Sequence, residues 1–450
     1  MNFDNCKIAL IRALGELDVT EYEMYYATSN ETSVETLNKE VNKFSSSEQG
    51  GLCLRVLYEG KMGYASTELM DESTMYELAS SAIANAKCTD KLDTVGIYKG
   101  SPKYEEKREV SYTALDAGEL RRLALATAGA TYARDKRVCD GSSSSAITAE
   151  FTTRLINSHG LDLSNSAGVN ILVGEAVVES DGEKQQAFSM REYGKEDEEL
   201  TIDEVATKAV GDALDKIGAG KVKSGKYNVV IDSKQMRSLL SVYSGSFSAK
   251  SVIDKMSRLE GKLGEAVAAP IVTVIDDPQR EGSPVGTTFD AEGVATYKKC
   301  VIENGVLKTY LHNRETAKKM GVETTANASK GAYHSPIGIM PYAFTITAGD
   351  KTLSELFTMA GDGIYITSFS GLHAGANPVT GDFSLQSQGF IIKDGKRGAA
   401  VKGFTLAGNF FELMKNIAAL SDTVDMGVQT SITAFGSPCA LVPDMSVAGE

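Results

Sequence analysis

The spacing of apolar residues predicts that the first half of the chain combines helices with alternating strands. Apolar stripes at helical spacing, such as Ile8, Ile11 and Leu14, predict four helices. They cover residues 6–14, 74–87, 118–134 and a segment that begins at the capping-box sequence Thr201-Ile202-Asp203-Glu204 and runs to about residue 217. Apolar and polar alternation predicts strands at 22–28, 31–37, 51–57, 63–67, 146–156, 169–178 and 186–191. Residues 91–110 are predicted to be a polar connector and residues 192–199 a solvated loop.

In the second half, the same patterns predict a mixture of hairpins and separate helices. Strands are predicted at 226–231, 271–275 and 343–347, and helices at 315–320, at 353–359 and from Ser233 onwards. Asn304-Gly305 is the strongest turn signal and predicts a hairpin between strands 296–302 and 306–311. This mixture indicates an α+β fold, with mixed or antiparallel sheets, hairpins and flanking helices.

A long stretch from Ser370 to Glu412 combines a small-residue loop with a predicted meander. The loop runs from Gly371 to Asn377, and a strand then begins in which Phe383 and Leu385 share one face. A second strand at 390–392, the Asp394-Gly395 turn and a third strand at 398–406 follow, before a helix with Phe410, Leu413 and Ile417 on one side. A loop of this kind beside an open sheet edge is suited to binding an extended peptide, although ordinary sheets are built in the same way.

Length and composition indicate a two-domain globular protein. A chain of 450 residues exceeds what one core usually serves, and 218–225, rich in glycine and lysine, is the expected boundary. We therefore predict an N-terminal α+β domain at 1–220 and a β-rich C-terminal domain at 221–450. With 42% hydrophobic residues, no stretch is apolar enough to span a membrane, and the N-terminus does not resemble a signal peptide. We therefore expect a cytoplasmic protein that makes no membrane contact.

Charge and cysteine content exclude two further classes of function. The net charge is −14 without a basic cluster, which argues against direct binding of nucleic acid. The six cysteines are scattered and show no CxxC spacing, so we expect reduced thiols that are mostly buried. The absence of a GxSxG sequence leaves serine-hydrolase chemistry without support.

Five short sequences stand in a fixed order in the stretch from 377 to 409. They are Asn377-Pro378, Gly381-Asp382-Phe383, Gly389-Phe390-Ile391, Asp394-Gly395-Lys396 and Leu406-Ala407-Gly408-Asn409. This series resembles the TldD/PmbA family, whose members have been called modulators of DNA gyrase and work as two-subunit metalloproteases. The resemblance extends upstream to Tyr227 and down to the C-terminus, and weaker similarity includes the hairpin at 51–67.

The resemblance also indicates which chemistry this chain lacks. In catalytic subunits of the family, the helix after the strand at 226–231 carries HExxxH, with two histidines as zinc ligands and a glutamate that activates water. The corresponding window, 238–247, contains neither histidine nor glutamate. The third ligand is a cysteine in a CGK-type segment; the corresponding residues 423–430 contain none, and we do not assign that role to Cys439. The resemblance therefore implies a PmbA- or TldE-like subunit with no catalytic residue, metal ligand or cofactor of its own.

Histidines and acidic residues offer two alternative sites. The four histidines lack the spacing of helix-borne metal ligands; His159 is expected to be exposed and inert, while His373 lies in the small-residue loop. The acidic residues of the 276–292 region either cluster around a hard cation or cap turns, and turn capping is the more common role. They are Asp276, Asp277, Asp290 and Glu292.

Three functions remain open at this point. The resemblance implies a substrate-shaping subunit whose 371–391 segment holds peptides while a TldD-like HExxxH partner carries zinc and cuts. The candidate substrate-binding residues are His373, Asn377, Asp382 and Phe383. The alternative is a peptide-binding or regulatory homodimer without hydrolytic activity. An autonomous hydrolase using His312, His334 or His373 would require a coincidence of placement that their spacing does not suggest.

Overall fold

The first half of the chain forms one antiparallel sheet with helices packed against it. The computed structural model describes residues 3–108 and 112–450. The sheet order is β3-β2-β1-β4-β5-β6. The strands are β1 Glu21–Leu37, β2 Glu40–Tyr58, β3 Lys61–Thr67, β4 Ser143–Asn157, β5 Asp162–Ser180 and β6 Glu183–Glu192, and the helices are α1 Phe3–Glu16, α2 Met75–Cys88, α3 Ala117–Arg134 and α4 Glu198–Leu214.

Most strands of this sheet are longer than the sequence pattern predicts, and the difference is clearest in β1, β2 and β5. The predicted strands 22–28 and 31–37 are a single strand, β1, and the predicted strand at 51–57 is the second part of β2. Asn30, which lies in the gap between the two predicted strands, pairs with Glu48 on one side and with Glu150 on the other. Because neighbours on both sides satisfy its backbone, the local preference for a turn is overridden.

The predicted start of the fourth helix was wrong. Helix α4 begins at Glu198, so the expected loop at 192–199 is partly helical, and Thr201 is buried within the helix instead of capping it. The Glu198 carboxylate accepts hydrogen bonds from the Arg122 guanidinium of α3 at 2.6 and 2.7 Å and from the Tyr193 hydroxyl at 2.8 Å. These tertiary contacts hold the chain in the first helical turn before the capping-box sequence is reached.

The predicted connector at 91–110 has no regular secondary structure in its described part, and residues 109 and 110 lie outside the described residues. It packs on the second half of the chain. The Tyr104 hydroxyl donates to the Gly293 carbonyl at 2.7 Å, and the Arg314 guanidinium donates to the carbonyls of Val95 and Gly96.

The second half contains short strands, a barrel and several short helices. The strands are β7 Gly225–Ile231, β8 Val274–Asp277, β9 Lys299–Glu303, β10 Val306–Leu307, β11 Ala328–Ser329, β12 Gly338–Ile339, β13 Ala343–Ile346, β14 Gly363–Ser370, β15 Asp382–Lys393, β16 Lys396–Asn409, β17 Ala419–Leu420, β18 Ala434–Gly436 and β19 Ala440–Ala448. The helices are α5 Ser233–Tyr243, α6 Ala249–Ile253, α7 Arg314–Met320, α8 Leu353–Ala360, α9 Leu372–Gly375 and α10 Phe410–Lys415.

Five strands of this half close into a barrel. Their order is β16-β15-β14-β7-β19, and β16 pairs back with β19, with Leu406 opposite Val447. A separate sheet has the order β10-β9-β8-β13-β18. The pairs β14–β7 and β13–β18 are parallel and the others antiparallel, which confirms the predicted α+β fold with mixed and antiparallel sheets.

Several local predictions in this half are confirmed and others are corrected; the strands of the predicted hairpin, 296–302 and 306–311, are only Lys299–Glu303 and Val306–Leu307. Both hairpin turns are present, with positive φ at Asn304-Gly305 and at Asp394-Gly395. The predicted strand at 271–275 begins only at Val274, and helix α10 ends before Ile417. The two strands expected around 383 and 390 are one strand, β15. Gly389 allows this close pairing, because a Cβ there would lie 1.8 Å from the Tyr365 carbonyl oxygen of β14.

The largest apolar core lies between the barrel, helix α5 and the five-stranded sheet. Tyr243 stacks on Phe410 with ring centroids 4.5 Å apart, and Phe247 meets Phe344 edge-on at 5.2 Å. These contacts fix the C-terminal end of α5 and the residues that follow it against α10 and against the five-stranded sheet. Across the described residues, no helix is long and apolar enough to cross a membrane.

Candidate functional site

Helix α5 contains the first part of the 238–247 window, which corresponds to the segment that carries zinc ligands in catalytic subunits of the family. Asp232 caps the helix by accepting the Lys234 N–H at 3.0 Å, and Leu239, Leu240 and Tyr243 face the core. The window offers serine hydroxyls and apolar side chains. Two of those hydroxyls are used within the helix and its last turn, since Ser238 donates to the Lys234 carbonyl and Ser244 donates to the Ser241 carbonyl, both at 2.8 Å. Zinc in proteins binds imidazole, thiolate and carboxylate groups, so the side chains of this window do not fit the ion.

The segment 423–430, where the third ligand is expected in relatives, lies beside this helix. Arg237 of α5 approaches Asp425, with its Nη2 atom 3.8 Å from Oδ2. Gly427 has φ +58°, and a Cβ there would lie only 1.4 Å from Arg237 Nη1. The two segments are therefore adjacent, and a guanidinium group lies between them.

Cys439 does not supply the missing thiolate. Its side chain is buried, and burial, with Asp232 nearby, raises the pKa of the thiol to about 11. A thiol that stays protonated at neutral pH is a poor zinc ligand. Within 3–108 and 112–450, no group of three or more histidine, cysteine, aspartate or glutamate side chains could hold a metal ion.

The 371–391 segment contacts the C-terminal end of α5. The Tyr243 hydroxyl donates to the Asp382 carbonyl at 2.9 Å, and the Ser246 hydroxyl donates to the Pro378 carbonyl at 3.1 Å. The fold thus brings the metal-free window and the predicted peptide-binding segment together.

Asn377 and Asp382 lie together at the turn that leads into β15. The Asn377 side-chain oxygen accepts the N–H groups of Val379 and Thr380 at 3.0 and 3.2 Å, while its own N–H donates to the Asp382 carbonyl at 2.8 Å. The exposed Asp382 carboxylate accepts the Asn409 amide at 2.9 Å, a hydrogen bond that lowers its pKa. Asn377 therefore shapes the turn, and Asp382 presents an ionised carboxylate beside it.

The other two predicted residues lie apart from that carboxylate. His373 is exposed on the short helix α9, whereas the Phe383 side chain is only 4% exposed and packs in the core. The Phe383 ring is therefore not accessible to a peptide. All four assignments to peptide binding remain predictions.

The expectation of an open strand edge in this segment was wrong. Strand β15 pairs with β14 on one side and β16 on the other, and its first residues are covered by the loop through the Ala376–Phe383 bridge. Backbone donors and acceptors of β15 are therefore used within the chain, and a peptide cannot add to this strand without displacing the loop.

A small cleft lies next to this turn. It has a volume of about 360 Å³ and is lined by Lys255, Ser257, Arg258, Val379 and Thr380. Arg258 donates to the Thr380 carbonyl at 3.1 Å, so the wall of the cleft and the turn are joined directly.

A larger cleft, which the sequence did not indicate, lies between the N-terminal sheet and the loop 279–286. It measures about 1060 Å³ and includes Asn30 of β1, Lys107 and Arg108 of the connector, and Arg280. Arg280 also donates to the Gln429 side chain at 2.8 Å, so this cleft reaches the 423–430 segment. The connector's basic pair was visible in the sequence, but nothing local indicated its neighbours.

The acidic residues of the 276–292 region cap turns and fill buried positions. Asp277 accepts the Gln279 N–H at 3.1 Å, and Asp290 accepts the N–H groups of Glu292 and Val294 at 2.9 and 3.0 Å. Burial beside the Glu292 carboxylate raises the Asp290 pKa to about 8, and burial also raises the Glu292 pKa. Asp276 has no exposed surface. The preferred turn-capping interpretation is therefore confirmed for Asp277 and Asp290.

The remaining histidines and the cysteines show no shared site. His312 is buried, which lowers its pKa to about 4, whereas His159 and His334 are exposed. All six cysteines fall within the described residues and are free thiols, and three of them are buried.

Two family models match most of this architecture. Residues 224–449 match the PmbA/TldA metallopeptidase C-terminal domain, and residues 22–86 match the PmbA/TldA metallopeptidase domain 1.

Individual relatives cover almost the whole chain. An uncharacterized protein of Methanocaldococcus jannaschii is 30% identical over 92% of this chain and 94% of its own length. A metalloprotease PmbA homolog of Haemophilus influenzae is 27% identical over 87% of this chain and 85% of its own. The solved structure of a proposed DNA gyrase modulator from Thermotoga maritima superimposes with a TM-score of 0.87 at 28% identity, covering 99% of this chain and 100% of that one.

Proposed function

The chain belongs to the PmbA/TldD metallopeptidase family, and from this membership we propose that it is the non-catalytic, substrate-shaping subunit of a two-subunit cytosolic zinc metalloprotease. Its substrates would be peptides or unfolded proteins. The zinc ion would be held by a TldD-like partner that bears the HExxxH sequence.

The proposal rests on one observation, which is the set of side chains that the two adjacent segments at α5 offer as ligands to a metal ion. The 238–247 window supplies no imidazole or carboxylate, and 423–430 supplies no cysteine. Arg237 contacts Gly427 between them, and a fixed positive charge disfavours a divalent cation at the same place. The family fold is thus combined with a site that cannot hold the family's metal, which favours a role in binding and orienting the substrate.

The exposed turn beside α5 is where we expect this chain to meet the peptide. Asp382 presents its carboxylate there, and Arg258 and Lys255 line the adjacent small cleft. Charges of both signs within one surface can orient a peptide without cleaving it. His373, on the neighbouring short helix, would complete this surface.

The first test compares this chain alone with the chain co-purified with an HExxxH-bearing partner. Zinc content and hydrolysis of an unstructured peptide are measured for both samples. We expect the isolated chain to be free of stoichiometric zinc and inactive, and the pair to contain zinc and to cleave. A pair whose partner carries glutamine in place of the HExxxH glutamate controls for contaminating proteases.

A second comparison uses the double substitution His373→Ala and Asp382→Ala within the pair. We expect a higher KM with the zinc content unchanged, because under the proposal all zinc ligands belong to the partner and the substituted groups would act on the peptide alone. Unchanged turnover would remove both residues from the proposed surface. Zinc binding and cleavage by the isolated chain would refute the proposal itself, and a stable homodimer that binds peptides but no partner would favour the regulatory alternative.

A further inference from the structure

The large cleft between the N-terminal sheet and the loop 279–286 has a charge opposite to that of the whole protein. The chain has a net charge of −14. Among the described residues, the cleft is nevertheless lined by Lys107, Arg108 and Arg280 and by a single carboxylate, that of Glu150. Such a local excess of positive charge in a concave site concentrates anions and repels cations.

Lys107 and Arg280 are held by uncharged partners among the described residues. Lys107 Nζ contacts the Ser166 carbonyl, and Arg280 donates to the Glu281 carbonyl and to the Gln429 side chain, both at 2.8 Å. Carbonyl and amide oxygens carry only partial charges. Among the residues that the structure describes, neither these two side chains nor that of Arg108 forms an ion pair, although Asp277 nearby pairs with Lys298.

Arg280 has an unused hydrogen-bond donor. Its Nε atom is buried and has no partner among the described residues. Burial lowers the Arg280 pKa, and the nearby Glu192 and Asp277 carboxylates offset this effect only in part. A bound carboxylate would supply both the missing acceptor and the missing charge.

The rest of the cleft suits an extended chain more than a compact ion. Its floor is formed by polar side chains of three neighbouring strands, including Asn30 and Thr152, and its wall includes the Tyr112 ring. That ring lies directly on the backbone of β5, because a Cβ at Gly168 would lie 2.3 Å from it. The volume of about 1060 Å³ is at the upper end for small-molecule sites and has room for several residues of a peptide.

We propose that this cleft binds an extended peptide through its carboxylates, so that the chain selects acidic segments. The inference rests on the proposed function for its biological meaning, since it names the substrate class of a substrate-shaping subunit. Binding itself can be measured on this chain alone and is therefore independent of any partner or of cleavage.

The test measures binding of fluorescein-labelled peptides of matched length by anisotropy. One peptide carries glutamates, a second carries glutamines at the same positions, and a third carries lysines. We expect the glutamate peptide to bind most tightly of the three. Its affinity should fall when the salt concentration is raised from about 0.05 M to about 0.5 M. Amidating its C-terminus distinguishes the two sources of carboxylate: affinity that survives amidation comes from the side chains, and affinity that is lost comes from the terminus.

Matched variants locate the binding. Arg108 is exposed, so Arg108→Gln should leave folding intact; we expect a loss of about fivefold for the acidic peptide, and about twentyfold when Lys107→Gln is added. Lys103→Gln removes an exposed charge from the same connector outside the cleft and should change affinity less than twofold.

Three results with the peptides would overturn the inference. They are equal binding of the glutamate and glutamine peptides, equal effects of Arg108→Gln and Lys103→Gln, and absence of binding by any peptide. Tighter binding of a single-stranded oligonucleotide of similar length would also overturn it, because the ligand would then be a phosphate backbone. If acidic peptides bind but no partner-dependent cleavage is found, the proposed function fails and the binding site stands.

Discussion

The buried ion pair between Asp276 and Lys299 gives a sharp test of how charges are held in the second half of the chain. Lys299 Nζ lies 3.2 Å from Asp276 Oδ2, and the two side chains are 4% and 0% exposed. The Asp276 carboxylate also accepts the Asn327 amide at 2.8 Å and the Tyr342 N–H at 2.6 Å. The aspartate therefore has three donors, whereas Lys299 has one hydrogen-bonded carboxylate, that of Asp276, and otherwise lies 4.8 and 5.4 Å from the ring centroids of Tyr297 and Tyr342.

This asymmetry predicts unequal costs for removing either partner. Asp276→Leu leaves a buried ammonium and an unpaired Tyr342 N–H, and should lower the free energy of unfolding by about 4–6 kcal/mol. Lys299→Met leaves the carboxylate with two hydrogen bonds and should cost about 2–3 kcal/mol. The double variant should be at least about 1 kcal/mol more stable than Asp276→Leu alone, because it leaves no buried charge.

The sign of the pH dependence adds a second signature. Burial already lowers the Lys299 pKa, and loss of Asp276 lowers it further. In Asp276→Leu, the unfolded chain then binds more protons than the folded chain between the lowered folded pKa and the ordinary lysine value. The stability of this variant should therefore rise with pH in that window.

Equilibrium urea unfolding followed by far-UV circular dichroism suits this chain, which contains no tryptophan. Lys308→Met provides the control, since Lys308 lies 3.2 Å from Glu303 but the two side chains are 48% and 54% exposed; its cost should stay below about 0.5 kcal/mol. Equal costs for the two buried substitutions, with additive effects in the double variant, would refute the reasoning. Different denaturant slopes among the variants would instead indicate that unfolding is not one transition.

Two further predictions concern packing and a buried acid. Gly63→Ala should lower the free energy of unfolding by about 2 kcal/mol or more, because the new Cβ would lie 2.0 Å from the Ala82 carbonyl oxygen; Gly211→Ala, in a helix with nothing within 4 Å, should raise it by about 0.5–1 kcal/mol, both measured by urea unfolding. The Asp290 pKa of about 8 in the fold exceeds the ordinary value of 3.8, so the folded state binds the extra proton and stability should fall as pH rises between these values. Asp290→Asn should flatten that slope in urea midpoints taken across this window, and an unchanged slope would argue against the raised pKa.

Local chemistry explains which parts of the fold the sequence predicts. The turns at Asn304-Gly305 and Asp394-Gly395 are predictable from the sequence, because glycine, asparagine and aspartate are the residue types that adopt positive φ most readily. The continuity of β1 through Asn30 is not predictable in this way, because the residues that form hydrogen bonds with its backbone belong to other strands. Tertiary contacts also displaced the start of α4 from its capping-box sequence.

The candidate site likewise has one part that the sequence predicts and another that it does not. Asn377 and Asp382 are close in sequence, so their proximity in one turn was predictable. The burial of Phe383 also agrees with its alternating pattern, although its strand continues further than expected. The basic cleft joins Arg108 to Arg280, and only the docking of the connector on the second half brings them together. No local sequence pattern predicts that Arg108 and Arg280 line the same cleft.

The closed barrel has a consequence for the order in which the protein can be made. Strand β7 is synthesised early in the second half, but one of its neighbours, β14, follows only after residue 363, and the other, β19, only after residue 440. During translation, β7 must therefore wait with both edges unpaired while most of this half leaves the ribosome. Pairings so distant along the chain form slowly, and unpaired edges are vulnerable to association with other chains. The emerging chain is thus expected to depend on ribosome-bound chaperones until the ring closes.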